Sequence, residues 1–166
     1  MTLAPGSVAV TAEESGRACP LCQSVARALA GEHPLFIAEL DAAVLLLHEH
    51  QPLAGWSVLL LKDHAEHADL LADEVLARVH RDMIRAARAV RAATGCARVN
   101  YACLGNVEPH VHWHIIPRFA PPIDPEPRAT VWTRPAEWLN RGVMPEQAAG
   151  TIAKVRSALG MGLRGA

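Results

Sequence analysis

Three histidines alternate in His110-Val111-His112-Trp113-His114-Ile115-Ile116, the densest run of chemically able side chains in the chain. Side chains alternate across a strand, so His110, His112 and His114 are expected on one face, about 7 Å apart. Val111, Trp113 and Ile115 then fall on the other face, which can bury itself. Three neighbouring imidazoles cannot all be charged cheaply, so at least one is expected neutral near pH 7. A neutral imidazole is a nucleophile, a base or a metal ligand. A solvated polar face accounts for one such histidine more readily than for three in an otherwise apolar strand. A second constellation is Cys19-Pro20-Leu21-Cys22, with the two-residue spacing of a zinc knuckle. Zinc needs two further ligands, most often histidines. Two reduced, buried cysteines, or a redox disulfide, are the other readings of the pair. Cys96 and Cys103 are isolated and read as plain core or surface residues.

These residues need elements to hold them. The pattern predicts a short helix over Pro20–Leu29, ending near Gly31. Strands are predicted over Phe36–Leu40, Ala43–Leu47 and Trp56–Leu61, with a polar connection from His48 to Ala54 and a turn region from Asp63 to Leu71. A long helix follows from Asp73 to Thr94, with Val75, Val79, Met83, Ala86, Ala87 and Val90 on one apolar face. Arg78, Asp82, Arg85, Arg88 and Arg91 are expected on a solvated face. Gly95 can end the helix. Arg98–Leu104 and His110–Ile116 read as the fourth and fifth strands, the latter bounded by Pro109 and Pro117. The proline-rich stretch from Pro117 to Pro135 reads as an extended arm. A short helical piece near Ala136–Asn140 and a terminal helix over Pro145–Leu159 complete the chain. The sum is an α+β arrangement: about five antiparallel strands, one long helix packed on them, a short N-terminal helix and a C-terminal extension. The expected organisation is a flexible tail over 1–17, a domain over 18–120, and an arm plus helix over 121–166 that pack on the domain or on a dimer partner.

Composition excludes several function classes. The chain has 166 residues, 51% of them hydrophobic, so it is neither disordered nor long enough for two full domains. Sixteen basic against seventeen acidic residues argue against nucleic-acid binding by bulk charge. No apolar run reaches membrane-spanning length. No signal peptide pattern opens the chain, so a cytoplasmic location with reduced thiols is expected.

The run His110-Val111-His112-Trp113-His114-Ile115-Ile116 resembles the histidine triad motif of the HIT superfamily of nucleotide hydrolases and transferases. Ile116-Pro117-Arg118 after it, and Gly55 followed by an apolar strand, Lys62 and His64, are similar to the family pattern as well. The likeness spans roughly residues 19 to 119. Gly105 to Pro109 and Trp113 look like a zinc-containing bacterial branch. The resemblance implies that His112 attacks the α-phosphorus of a nucleotide, forming a covalent nucleotidyl-histidine, while His114 donates to a phosphate oxygen. The spare ring nitrogen of His112 needs an acceptor, expected to be a backbone carbonyl of its own strand. Resemblance also implies a structural zinc on Cys19, Cys22, His64 and His110, with His67 as the alternative to His64. Without zinc, His64 would serve as a proton relay. His33 and His80 read as incidental.

Two positions depart from the family pattern. Asn106 stands where many relatives have Gln, and Val107 replaces a hydroxyl residue. His48-Glu49-His50 stands where many relatives place a ribose-binding Asp. Asn100, Asn106, Glu49 and His48 are the expected substrate contacts. Three function classes follow: a hydrolase or nucleotidyl transferase acting on dinucleoside polyphosphates or nucleoside phosphoramidates, a nucleotide-binding module with little turnover, and a biosynthetic enzyme for an unusual conjugate. The resemblance further implies a homodimer through the long helix and the fourth strand, with a small-molecule nucleotide as partner and neither nucleic acid nor membrane.

Overall fold

The computed structural model describes residues 19–160. The tail expected over 1–17 lies outside them. Helix α1 spans Pro20–Leu29, with proline at its first turn, where a missing N–H costs nothing. Strands β1 (Phe36–Glu39), β2 (Ala43–Leu47) and β3 (Ser57–Leu61) form an antiparallel meander. Helix α2 (Asp73–Thr94) crosses to β4 (Arg98–Ala102), and β5 (His112–Arg118) inserts between β3 and β4. The order is β1-β2-β3-β5-β4, a five-stranded antiparallel sheet. Short helix α3 (Ala136–Leu139) and helix α4 (Pro145–Ala158) end the described chain.

Alternation along the strands divides the sheet into two faces. Leu45, Leu47, Leu59, Leu61, Trp113 and Ile115 point into the main core, which Val79, Ala86 and Val90 of α2 and Ile152 and Val155 of α4 close. Val44, Leu46 and Leu60 point the other way, where Val25 and Ala28 of α1 cover them. Every residue of β2 is therefore buried. Beyond α1, the same second face carries His112, His114 and Ile116. Leu46 pairs with Val58, Val58 with His114, and His114 with Ala102, one row across four strands.

Several boundaries differ from the pattern in the sequence. β5 begins at His112, so His110 lies just before the ladder. It runs on through Pro117 to Arg118. Arg118 O accepts from the Ala97 N–H on the β4 side, so the neighbouring Pro117 nitrogen faces the β3 side. Pairing there has already ended at Ser57–Ile115, and no ladder bond is lost. β4 stops at Ala102, two residues short of Leu104. Asp82 is not on a solvated face: it is buried, and its carboxylate accepts the Ala42 N–H at 2.7 Å, tying α2 to the β1–β2 turn. Periodicity misplaced it because a single buried polar partner overrides the stripe.

Two glycines are dictated by the backbone. Gly95 ends α2 at φ 68°, a left-handed cap. Gly55 has φ 95°, and a Cβ there would collide with Thr94 Cγ2. The chain can therefore turn into β3 against the end of α2 only with glycine at that position.

Candidate active site and metal centre

The three triad histidines do different things, and their partners fix their protons. A carbonyl can only accept and an indole N–H can only donate. His112 Nδ1 lies 2.6 Å from His110 O, so Nδ1 carries the proton and Nε2 keeps a free lone pair. The acceptor expected for this ring is thus the main chain two residues back. Trp56 Nε1–H donates to His114 Nδ1 at 3.1 Å, so the neutral His114 ring carries its proton on Nε2. Burial, reinforced by the neighbouring His48 and His112, pushes the His114 pKa down to about 3. His110 Nε2 faces Leu61 O at 2.9 Å and donates to it, which turns the Nδ1 lone pair toward the cysteines. The His112 and His114 rings sit 5.3 Å apart, tilted toward each other and closer than strand spacing alone predicts.

His110 Nδ1 lies 3.5 Å from Cys19 Sγ, 3.4 Å from Cys22 Sγ and 3.4 Å from His64 Nδ1. One ring nitrogen has one lone pair and cannot make three hydrogen bonds. Cys22 Sγ is also 3.3 Å from His64 Nδ1, and all four donor atoms lie within 4.8 Å of one another. Bond lengths of zinc to sulfur and nitrogen place tetrahedral N–N edges at about 3.4 Å and S–N edges at about 3.6 Å. The observed separations are those edges. Cys19, Cys22, His64 and His110 thus form a closed Cys₂His₂ set whose chemistry fits structural zinc. Burial beside Cys19 holds the protonated Cys22 thiol up at about 11; bound zinc would take it as thiolate. The donation from His110 to Leu61 O is the outer support that metal-bound imidazoles usually have. His67 is exposed at the start of a 3₁₀ turn and is not among the four.

A cavity of about 490 Å³ opens on the second face of the sheet. Leu46, Val58 and Leu60 form an aliphatic floor over β2 and β3; His112 and His114 stand beside it. His48, Glu49 and Asn106 line the same cavity. The His48 ring stacks on Trp56 at 4.9 Å, and its pKa is lowered by burial. The Glu49 side chain is exposed. Asn100 does not reach this cavity. Its Oδ1 accepts from Arg118 Nη1 at 2.6 Å, and it lines a neighbouring cavity on the β4 side. A buried arginine claims its carbonyl, a partner that strand alternation could not reveal.

Three further residues complete the site. Trp56 orients His114. Gln51 organises the loop that brings Trp56 and His48 together: its amide donates to His48 O at 2.8 Å and Trp56 O at 2.7 Å, and it accepts from the Gly55 N–H at 2.8 Å. Trp132, from the proline-rich arm, stands 5.2 Å from the His114 ring. Only the tryptophans left a signal, as polar-tipped aromatics in a chain with few aromatic residues.

Solved structures share this fold. A histidine triad protein from Sinorhizobium meliloti shares 20% identity over 74% of this chain and 87% of its own, with a TM-score of 0.64. A hypothetical histidine triad nucleotide-binding protein from Sulfolobus tokodaii shares 14% identity over 84% of this chain and 92% of its own, at TM-score 0.65. A Zn-bound histidine triad family protein from Mycobacterium smegmatis shares 20% identity over 87% of this chain and 95% of its own, at TM-score 0.61. At these identities the likeness concerns the fold. No curated protein is a significant match to the sequence. The HIT domain family model matches residues 30–120, more than half of the chain and all five strands. With the triad, the sheet and the family model in agreement, this chain belongs to the HIT family.

Proposed function

We infer that the protein is a nucleotide hydrolase or nucleotidyl transferase acting at the α-phosphorus of a nucleoside 5′-phosphate conjugate. One observation carries this: the hydrogen bond from His112 to His110 O leaves the His112 Nε2 lone pair free, beside a cavity with room for a nucleotide. His112 Nε2 would attack phosphorus, forming an N–P bond as the bond to the leaving group breaks. The leaving group departs with the electron pair and takes up a proton. Water then attacks the same phosphorus, the N–P bond breaks, and the nucleoside monophosphate is released. Two easier displacements replace one hard one. The neutral His114 ring would donate its Nε2–H to a phosphate oxygen and stabilise the charge that develops there. Its depressed pKa suits that role, because it stays in one protonation state across the working pH range.

Zinc on Cys19, Cys22, His64 and His110 would be structural, with all four positions filled by protein. A Zn-bound family neighbour supports this assignment. Its effect on chemistry would be positional, since the His110 side chain faces the cysteines while its carbonyl holds His112. His48, Glu49 and Asn106 would contact the ribose and phosphates, with the base on the aliphatic floor. Asn100 would act one step removed, by holding Arg118. We also propose a cytoplasmic homodimer joined through α2 and β4; β4 is an edge strand, and no described helix is long and apolar enough to cross a membrane. Sedimentation of the purified protein at the mass of one chain would exclude the dimer.

A binding module with little turnover is the second reading, favoured by Val107, which is 88% exposed and offers no hydroxyl to a leaving group. The deciding experiment mixes the protein with adenosine 5′-phosphoramidate and with a diadenosine polyphosphate, beside His112→Ala. Release of AMP by the native chain and not by the variant is expected. No release from either compound, or equal release by both proteins, overturns the enzyme; tight AMP binding without release selects the module.

A further inference from the structure

The segment between β5 and α3 lies beyond the HIT-matched residues and is held by buried charge. Arg118 Nε donates to Asp124 Oδ2 at 2.6 Å, and Arg134 Nη2 reaches Asp124 Oδ1 at 3.4 Å. Both arginines donate to Glu126 O, and Arg134 also pairs with the Glu126 carboxylate. Asp124 is fully buried and the two arginine side chains nearly so. Charges taken out of water this far hold their geometry only when paired, so the segment has one position. That position seats Val131 in a small cluster with Leu53, Trp56 and Ile116. It also sets Trp132 edge-on to Trp56 at 5.4 Å and to His114 at 5.2 Å.

Val131 and Trp56 satisfy the apolar demand of that cluster at 2% and 1% exposure, yet Trp132 stays 40% exposed. A large indole held firmly and left open lines two cavities at once. One is the triad cavity. The other, about 370 Å³ on the β4 side, carries Arg98 and Arg128, and neither forms an ion pair among the described residues. Across the sheet the order is then an aliphatic floor on β2 and β3, the triad histidines on β5, and an open indole with two free cations toward β4.

We propose that Trp132 is a specificity-determining residue: its indole stacks on a second planar ring of the substrate, beyond the phosphate chain, and so selects conjugates with a nucleoside at both ends over those with a small leaving group. This rests on the reaction inferred at His112, which places the cleaved phosphorus between the two flanks. Stacking is the chemistry an open indole supplies, and it tolerates any base because every base has a π face. Arg98 and Arg128 give the β4 side the charge to accept the phosphates between the rings.

The test measures binding in the His112→Ala background, where turnover is blocked, by titration calorimetry. Adenosine 5′-tetraphosphate and P1,P4-diadenosine tetraphosphate carry the same phosphates and differ in the second nucleoside. The second compound is expected to bind about tenfold more tightly, within the range of one base–aromatic stack. Trp132→Ala should erase that margin while leaving adenosine tetraphosphate within about twofold, and Trp132→Phe should keep most of it. Equal affinity for the two compounds, or an equal loss of both in Trp132→Ala, overturns the assignment. If neither compound binds and the native chain releases no nucleotide, the inferred reaction fails and the subsite with it. Binding without a margin, beside intact turnover, removes the subsite alone.

Discussion

His114 offers a sharp test because its environment dictates a sign as well as a size. Burial, with His48 and His112 beside it, lowers its pKa from the ordinary 6.5 to about 3. The unfolded chain therefore takes up a proton below pH 6.5 that the folded chain refuses until about pH 3. The stability contributed by the neutral ring is fully present above pH 6.5 and is lost as pH falls through that window, at about 1.4 kcal/mol per unit. His48 is shifted the same way by burial and adds to the slope. Between pH 7.5 and pH 5, His114 alone should cost about 2 kcal/mol. His114→Gln keeps an acceptor for the Trp56 N–H but has no proton to take up. Urea unfolding of the zinc-loaded native chain and of this variant should therefore diverge with falling pH, the variant showing the shallower loss. Carboxylates and metal ligands titrate alike in both proteins and cancel in the difference. Parallel pH dependence in the two would refute the neutral, buried His114. So would a His114 ring whose NMR shifts titrate near pH 6.5 in the folded protein.

The metal centre should bind one zinc per chain; Cys22→Ser or chelation should lower Tm by several degrees, and less than half an equivalent in the purified protein would count against it. Because His110 joins the metal set to His112, loss of zinc should lower kcat more than it raises KM. Asp124→Ala leaves Arg118 without its carboxylate in a dry site and should cost on the order of 3–5 kcal/mol, read by denaturant unfolding, whereas a change below about 1 kcal/mol would mean water reaches the arginine. Gly55→Ala combines a left-handed φ with a Cβ that would collide with Thr94, and should destabilise by about 1–3 kcal/mol or more in the same assay. A neutral result there would show that the end of α2 yields easily.

Much of the fold was legible because burial writes a period into a chain. Short apolar runs bounded by turns marked β1, β2 and β3, alternation marked β5, and period 3.6 marked α2. The alternation of His110, His112 and His114 marked the strand face, and resemblance to the HIT motif named the four metal-site residues that the fold brings together. Asp82 was misplaced because it answers to one distant partner, the Ala42 N–H, and a single long-range hydrogen bond leaves no period; the Asn100 bond to the Arg118 guanidinium was illegible for the same reason.

The sequence by itself determined the element types and the choice of imidazole and thiolate chemistry, since both depend on residue type and local spacing. Only the tertiary structure decided how the three histidines divide the work. One ring faces two cysteines and another histidine, one is held by a carbonyl, and one accepts from an indole. Those partners come from the start of α1 and the segment after β3, from the residues just before β5, and from the turn before β3. Proton placement follows from which of them is a donor and which an acceptor, a property of the assembled neighbourhood and not of the strand. The arm shows the same division: its prolines forbade a ladder, but the Arg118–Asp124–Arg134 network sets Trp132 beside His114.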